Sequence, residues 1–322
     1  AVLHGPTEST VDYFLAEHTI GLIDRLAAQA QPFFVWHNFW GPHSPYFAPR
    51  AYYERYRDVE IPPWPNYDWP EADWRMPMQV KRHPMAEETP WEDWAVAIRH
   101  YYAFATLIDE QIGCIVEHLR HRGLLENTVI LFSADHGETL GSHGGLTDKG
   151  WHHFEEVQRI PLIAYVPPRW RRSGPAAGAV LAEWASTIDY YPTILDLAGA
   201  LRPDESLPGR SLLPLLRGER VTWRDRILVE FMGVNDAATS MITLRHGDLK
   251  YGWNCSNRDE LHDLACDPHE RHNVIDDPAY AGDLRALREM MSAWMAETDY
   301  PAKGVFDRSR LRRTRWIIPP AR

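Results

Sequence analysis

A short apolar run followed at once by a polar, glycine-rich stretch is the feature that most constrains this sequence. The run is "NTVILF" (127–132), and "SADHGETLGSHGGLTDKG" (133–150) follows it directly. An apolar run of this length without an internal period is typical of a strand buried on both faces of a parallel sheet. Asp135 and His136 would then lie just past the carboxyl end of that strand, where open α/β sheets bind ligands. The pattern therefore predicts an α/β fold with chemistry at this edge.

Strand and helix patterns alternate on both sides of this run up to about residue 222. "PFFVWHNFW" (32–40) and "IPLIAYVP" (160–167) predict two more buried strands. Helical periodicity runs from about Pro90 to Gly123, a residue type that commonly follows helix ends. A Pro- and Trp-rich stretch between residues 58 and 91 has no period, and its aromatic residues favour a packed loop over a linker.

The pattern changes after residue 222 to short strand-like pieces separated by turn residues. The second piece, "SMITLRHGDLKYGWN" (240–254), contains a hairpin signal at Gly247-Asp248, and the helical pattern "DLRALREMMSAWMAE" (283–297) follows later. We therefore predict two domains: an α/β core at 1–222 and a smaller C-terminal α+β subdomain with an antiparallel sheet at 223–322.

Composition excludes several classes of protein. The formal net charge is −11, with 34 Lys and Arg against 45 Asp and Glu, which argues against a protein that coats nucleic acid. No apolar stretch approaches the roughly 20 residues that span a bilayer. The three cysteines, Cys114, Cys255 and Cys266, are too few and too scattered for a disulfide framework or a closed zinc site. The sequence does not distinguish a cytoplasmic from a periplasmic location.

Six segments in a consistent order resemble the sulfatase family, within the alkaline-phosphatase-like superfamily. They are "PFFVWHNFWGPHSPY", "HYYAFATLIDEQIGCIVEHL", the central "TVILFSADHGETLGSHGGLTDKGWHHFEEVQRIPLIAYVP", "STIDYYPTILDLAGA", "LPGRSLLPLL" and "DELHDLACDPHERHNV". The resemblance implies an alkaline-phosphatase-like core, with a mostly parallel sheet flanked by helices, that hydrolyses a small-molecule sulfate monoester to an alcohol and inorganic sulfate.

The resemblance also assigns roles to residues of the central segment. Asp135 and His136 match the family's metal ligands, which implies a divalent cation such as Ca²⁺. A hard cation prefers oxygen donors, whereas a histidine ligand is more usual for Mn²⁺ or zinc-like ions, so Mn²⁺ is the alternative. Without the resemblance, Asp135 would be read as the cap of a following helix. Lys149 matches the lysine that contacts the sulfate, although most lysines are simply exposed.

Histidines supply the remaining candidates. His43, in "GPHSP", matches the histidine near the ester oxygen, where it could protonate the leaving alcohol. A histidine between prolines is otherwise just a turn residue. His143, His152 and His153 have no settled role in the family pattern. We treat them as candidates that would contact the ligating residues rather than the metal or the substrate itself.

Two elements that the resemblance implies are not recognised in this sequence. The resemblance implies a Cys-x-Pro-x-Arg or Ser-x-Pro-x-Arg motif, whose first residue becomes the formylglycine nucleophile, and an Asp-Asp metal pair on a first strand. The nearest cysteine match, "CDPHE" at Cys266, has Glu270 in place of the arginine and fits a structural thiol better. The chain begins at Ala1 and enters a helical pattern almost at once. We therefore expect the nucleophile upstream of Ala1 and little activity from this chain alone.

Two alternatives stay open at this point. One is a protein that has lost catalysis and keeps an anion-binding shell. The other is a phosphonate monoester hydrolase or phosphodiesterase of the same superfamily, because these enzymes share the Asp-His-Gly and Lys-Gly elements.

Overall fold

The computed structural model describes most of the chain. The residues described are 2–68, 89–149, 152–171, 174–202, 206–233, 240–255 and 258–311. Their contacts group into two compact units. The first unit comprises the described parts of 1–64, 84–132 and 163–172, and the second unit those of 65–83, 133–162 and 173–322. The predicted division at residue 222 stays a prediction.

The described strands form three small sheets. In chain order they are β1 (Val2–Leu3), β2 (Ala48–Pro49), β3 (Ile130–Ser133), β4 (Leu162–Tyr165), β5 (Arg226–Phe231), β6 (Met241–His246), β7 (Leu249–Asn254) and β8 (Glu260–Asp263). β1 and β2 pair in parallel, β3 pairs with β4, and β5 to β8 form an antiparallel sheet in sequential order. This mixture of helix and sheet, with a small antiparallel sheet towards the C-terminus, confirms the predicted fold class.

Helices connect these strands. They are α1 (Val11–Ala27), α2 (Arg50–Tyr53), α3 (Trp91–His121), α4 (Ser142–Gly145), α5 (Glu155–Gln158), α6 (Pro168–Arg171), α7 (Tyr190–Leu197), α8 (Leu213–Leu216), α9 (Ala281–Glu297) and α10 (Lys303–Leu311). α4 is a single irregular turn, because His143 and Gly144 have positive φ values inside it. In the described part of the chain, no helix is both long enough and apolar enough to cross a membrane.

The longest helix of the first unit is α3, and it lies where the periodicity predicts a helix. Acidic residues occupy its first turn and basic residues its last, which suits the helix dipole, and Gly123 follows its end with a φ of 66°. α3 packs against α1 through Leu119 and Ile23, and His118 Nε2 lies 2.9 Å from Asp24 Oδ1. The amphipathic pattern of α3 thus becomes the core of the first unit.

The antiparallel sheet carries the largest core of the second unit. Its buried residues are Ile242, Leu244, Tyr251, Trp253 and Leu261 from the sheet, with Leu287, Met291, Met295 and Phe306 from α9 and α10. His246 pairs with Leu249, so the turn between β6 and β7 has two residues, and Gly247 has a φ of 59°. The predicted Gly247-Asp248 hairpin is therefore confirmed.

The predicted buried strand at residues 32–40 is not observed as a strand. Its side chains alternate as in a strand, but Phe34, Trp36 and Trp40 are 60%, 62% and 66% exposed. None of its residues joins a sheet with another described segment. A strand is defined by hydrogen bonds to a neighbouring strand, so the apolar pattern alone overestimated both the pairing and the burial of this segment.

The Pro- and Trp-rich stretch is described only at its ends, because residues 69–88 lie outside the described part of the chain. At those ends Trp91 Nε1 donates a hydrogen bond of 2.6 Å to the Ile61 carbonyl oxygen. The Trp64 and Trp91 rings meet edge to face with centroids 5.5 Å apart. The described ends are packed as the aromatic content predicts.

Candidate functional site

The candidate site begins where β3 ends. Ser133, the last residue of β3, donates a hydrogen bond to the Pro161 carbonyl oxygen (2.8 Å) and accepts one from the Tyr190 hydroxyl (2.6 Å). These two bonds hold the end of the strand in place. Asp135 follows two residues later, and the site loop, which we define as residues 135–149, starts there.

Asp135 and His136 open the site loop. The Asp135 side chain is 88% exposed, its Oδ1 accepts the His136 backbone N–H (3.0 Å), and its Oδ2 lies 3.6 Å from His136 Nε2. His136 Nδ1 donates to the Gly137 carbonyl oxygen at 2.7 Å. Residues 136–139 are not helical, so the alternative reading of Asp135 as a helix cap is wrong.

These two residues fit part of a metal site. With Nδ1 donating to a carbonyl, the neutral imidazole of His136 keeps its lone pair on Nε2, which faces the Asp135 carboxylate. An imidazole nitrogen and a carboxylate suit Mn²⁺ or, with further oxygen donors, Ca²⁺. Among the residues that the structure describes, no group of three or more His, Cys, Asp or Glu side chains is arranged to hold an ion. If Asp135 and His136 hold an ion, they would fill only part of its coordination shell.

Gly137 brings the backbone of the site loop directly onto α5. Its N–H donates to the Val157 carbonyl oxygen (2.8 Å), and the Glu138 N–H donates to the Glu156 carbonyl oxygen (3.0 Å). A Cβ atom at position 137 would collide with the Glu156 carbonyl oxygen. Only glycine allows this close approach, so the Gly of Asp-His-Gly has a packing reason.

α5 is in turn fixed by buried charges of the antiparallel sheet. Glu155 lies 2.6 Å from Arg245 Nη1 and 3.1 Å from Lys250 Nζ, and its backbone N–H donates to Glu270 Oε2 at 2.6 Å. Burial opposes the charge of Glu155, but Lys250 and Arg245 outweigh this effect and lower its pKa. An ionised Glu155 thus anchors the turn on which Gly137 rests. The sequence analysis did not predict this network, whose members include Glu155 in "FEE" and Lys250 in "LKY".

Glu138 closes the site loop. Its Oε1 accepts three backbone N–H groups, from Thr139 (3.1 Å), Leu140 (3.4 Å) and Asp148 (2.5 Å). Burial raises the pKa of the Glu138 carboxyl, while these hydrogen bonds act in the opposite direction. Thr139 Oγ1 also donates to the Asp148 carbonyl oxygen at 3.0 Å. The two ends of the loop are therefore joined, a role for Glu138 that the sequence reasoning missed.

Lys149 is the last residue of the site loop. Its backbone N–H donates to Asp148 Oδ1 (2.8 Å), and its Nζ lies 3.2 Å from the same oxygen. The Lys149 side chain is 29% exposed, so it is neither fully buried nor a freely extended surface lysine. The structure thus places Asp135, His136 and Lys149 on one closed loop of the second unit.

His43 belongs to the first unit and is described on its own. Its Nδ1 donates to the Ser44 carbonyl oxygen at 2.7 Å, and its ring lies 4.9 Å from that of Trp40. The preceding Gly41 packs so closely that a Cβ there would collide with Phe104. The Ser44 backbone carbonyl oxygen thus orients the His43 imidazole.

The three other candidate histidines are buried in the second unit. His143 is fully buried and stacks on Phe154 with ring centroids 3.5 Å apart, and His153 Nδ1 lies 2.6 Å from Thr243 Oγ1. Asn66 Nδ2 approaches His143 and donates to Glu156 Oε1 (2.5 Å) and to the His269 carbonyl oxygen (3.2 Å). Burial lowers the pKa of His143 and of His153 to about 4. Burial also lowers the pKa of His152, to about 3.

Two segments of the chain match the sequence of the nucleophile motif in part or in full. Cys266 is exposed, and the neighbouring Asp263 raises its pKa, which disfavours a thiolate. The interpretation that the Ser-x-Pro-x-Arg letters are absent was wrong, because they occur once, in "SLPGR" (206–210). There Gly209 packs against the Ile188 carbonyl oxygen and the Arg210 N–H donates to Asp189 Oδ1 at 2.8 Å. The close packing and hydrogen bonding of this second segment give it a structural role.

Comparison with known proteins assigns the chain to a family. A model of the family described as Sulfatase matches residues 5–200, and one described as N-sulphoglucosamine sulphohydrolase, C-terminal, matches residues 141–297. The first match covers more than half of the chain, so the chain belongs to the sulfatase family.

Several proteins are similar over most of the chain. An arylsulfatase of Clostridium perfringens is 30% identical over 81% of this chain and 53% of its own length. A multifunctional alkaline phosphatase superfamily protein, PehA, of Trinickia caryophylli is 26% identical over 90% of this chain and 60% of its own. The crystal structure of a phosphonate monoester hydrolase of Agrobacterium radiobacter has a TM-score of 0.79 and 26% identity, covering 92% of this chain and 62% of that chain. The chain thus spans about half to three-fifths of these relatives.

Proposed function

We propose that this chain is the C-terminal portion of a sulfatase that hydrolyses a sulfate monoester to an alcohol and inorganic sulfate. The observation that carries the proposal is the closed site loop, which carries the carboxylate of Asp135, the imidazole of His136 and the ammonium group of Lys149 in a member of the sulfatase family. Such a loop suits a tetrahedral anion bound beside a cation.

Each side chain has a physical role in this proposal. The Lys149 ammonium acts as a point charge on the sulfate oxygens. Such a contact does not require the fixed planar geometry of a guanidinium. Asp135 and His136 would hold a divalent cation, Ca²⁺ or Mn²⁺, which supplies further positive charge beside those oxygens when bound. His43, with Nδ1 engaged by the Ser44 carbonyl, would deliver a proton from Nε2 to the departing alcohol oxygen.

The nucleophile is expected in a part of the protein that precedes this chain. The relatives are longer than the chain, which spans 53% of the arylsulfatase and 60% of PehA. Asp263 disfavours a thiolate at Cys266, and the segment 206–210 is held by structural contacts at Gly209 and Arg210. We therefore place the formylglycine and the remaining metal ligands upstream of Ala1.

A second candidate is a phosphonate monoester hydrolase. Its support is the likeness to the phosphonate monoester hydrolase of Agrobacterium radiobacter. A phosphonate monoester and a sulfate monoester both present a tetrahedral anion, so the same loop can serve either. A non-catalytic anion-binding protein is the third candidate, and it is favoured only if no nucleophile is encoded upstream.

The decisive experiment compares two proteins. One is the 322-residue chain, and the other is the same chain extended by the sequence encoded upstream of Ala1. Both are assayed with Ca²⁺ or Mn²⁺ on nitrophenyl sulfate and on a phenyl phosphonate monoester. We expect turnover only from the extended protein and a preference for the sulfate. Preference for the phosphonate would favour the second candidate, and ordinary turnover by the short chain would contradict the proposed nucleophile position. Ser206→Ala, made in both proteins, should change neither rate.

A further inference from the structure

Glu138 is a partly buried carboxylate with no role in the chemistry proposed above. All three of its described hydrogen bonds end on one oxygen, Oε1, and all three donors are backbone N–H groups of the site loop. Two of these donors immediately follow Glu138, and the third belongs to Asp148, ten residues along the chain. The carboxylate is therefore the point at which the start and the end of the loop meet.

The backbone just before Lys149 needs this support. Asp148 has a φ of 67°, in the left-handed region, which costs free energy for any residue other than glycine. Its backbone is held on both sides of the Cα, because the N–H donates to Glu138 and the carbonyl accepts from Thr139 Oγ1. Its side chain then accepts from the Lys149 N–H and lies beside Lys149 Nζ. Asp148 thus contacts both the backbone and the ammonium group of Lys149, and a change in its conformation would alter both contacts.

We propose that Glu138 is a positioning residue that holds Lys149 where its ammonium group meets the anion of the substrate. The inference rests on the proposed function of Lys149 but goes beyond it, since Glu138 itself touches no substrate. Its contribution is the oxygen that accepts the loop amides, rather than its negative charge. Glutamine at this position would keep an acceptor oxygen, whereas alanine would remove it.

The test is made in the extended protein with Glu138→Gln and Glu138→Ala. We expect Glu138→Gln to stay within about threefold of the parent, since a neutral acceptor loses only a modest part of each hydrogen bond. Glu138→Ala should raise KM, and the inhibition constant of inorganic sulfate, on the order of 10- to 100-fold, because a displaced contact group loses most of its effect. Equal losses in both variants would overturn the acceptor role.

The matched control is Asn273→Ala. Asn273 Oδ1 also accepts two backbone N–H groups of the second unit, from Leu261 (2.9 Å) and Ile275 (3.1 Å), but Asn273 has no part in the site loop. We expect this variant to lower stability without changing KM or sulfate inhibition. A rise in either constant as large as that of Glu138→Ala would show that general loosening of the unit, and not positioning, explains the effect.

A double-mutant cycle with Lys149→Met completes the test. If Glu138 acts through Lys149, Glu138→Ala should add almost nothing to the loss already caused by Lys149→Met. Additive losses would overturn the inference. The cycle is measured on whichever ester the extended protein hydrolyses faster. A preference for phosphonate over sulfate would then revise the proposed function, but the cycle would still measure the coupling between Glu138 and Lys149. An extended protein that shows neither turnover nor inhibition by sulfate would contradict both proposals.

Discussion

Lys250 and Glu270 face each other inside the second unit, with 2.7 Å between Nζ and Oε1 and each side chain only 1% exposed. Lys250 also contacts Glu155 at the start of α5, and Glu270 accepts the Glu155 backbone N–H. α5 accepts the backbone hydrogen bonds of Gly137 and Glu138, at the start of the site loop. A charge pair on the antiparallel sheet side thus fixes the base on which the candidate site is built.

Breaking this pair should destabilise the protein strongly. Lys250→Met leaves Glu270 buried without its cation, and removing one partner of a buried pair costs about 3–5 kcal/mol. Urea unfolding measures the effect. The matched control is Arg258→Met, which removes the exposed pair of Arg258 and Asp276 (2.9 Å) and should cost less than about 1 kcal/mol. A similar loss from both variants would contradict the importance of burial, and Lys250→Met combined with Glu270→Leu should recover part of the stability.

Stability should fall as the pH drops from about 6.5 towards 4. Burial lowers the pKa of His143, His152 and His153 to between about 3 and 4 in the folded protein. The unfolded chain takes up protons on these residues near pH 6.5, which favours unfolding by up to about 1.4 kcal/mol per pH unit and histidine. The opposite contribution comes from His262, where the effect of burial is outweighed by Glu260 and Glu270, which raise the pKa. Its stabilisation is present at low pH and is lost as the pH rises through that pKa.

His152→Leu isolates one of these protons. The groups that face the three imidazoles include Asp148, Glu156, Lys250, Glu260, His262 and Glu270. His152 Nε2 is buried without a hydrogen-bond partner among the described atoms, so leucine removes little else. Urea midpoints at pH 7.5 and 5 should then differ less in this variant than in the parent. An unchanged difference would mean that His152 is protonated in the folded protein.

Lys149 and His43 should fail in different ways in the extended, active protein. In the proposed function Lys149 would meet oxygens that are already negative before reaction, so Lys149→Ala should raise KM as well as lower kcat. In the same proposal His43 would act when the ester oxygen gains charge, so His43→Ala should chiefly lower kcat, by about 10²- to 10⁴-fold. That defect should shrink on nitrophenyl sulfate, whose leaving group departs without a proton. Equal losses on activated and unactivated esters would rule out the general-acid role.

Calcium should bind weakly to the 322-residue chain and more tightly to the extended protein. Asp135 and His136 supply only part of a shell that Ca²⁺ fills with about six or more ligands. Calorimetry with CaCl₂ measures both proteins, and Asp135→Ala should abolish the weak heat of the short chain. Equally tight binding by the two proteins would show that the site is complete within this chain, with ligands other than those assigned.

Local signals account for what the sequence predicts well. α3 follows from its periodicity and its charged ends, and the β6–β7 hairpin follows from Gly247-Asp248. Asp135, His136 and Lys149 share one loop because they are close in sequence. Their predicted roles in binding and catalysis remain predictions.

Contacts between distant residues account for what the sequence did not predict. Glu155 and Glu270 are 115 residues apart in the chain, so neither residue signals its partner locally. The segment at 32–40 has the pattern of a buried strand, but pairing depends on a neighbour that the pattern does not specify. The acceptor role of Glu138 depends on the left-handed backbone conformation of Asp148. Aspartate has only a weak preference for that conformation, so the sequence does not predict it.

Asn66 forms hydrogen bonds to residues that are synthesised much later than Asn66 itself. Its side chain donates to Glu156 and to the carbonyl oxygen of His269, a residue 203 positions later. At the usual rate of roughly 5–20 residues per second, the ribosome completes that interval in about 10–40 seconds. During this time Asn66, which lies beside the buried His143, lacks its hydrogen bond to the His269 carbonyl oxygen. The contacts that support the candidate site therefore cannot be complete until the chain has been synthesised as far as Glu270.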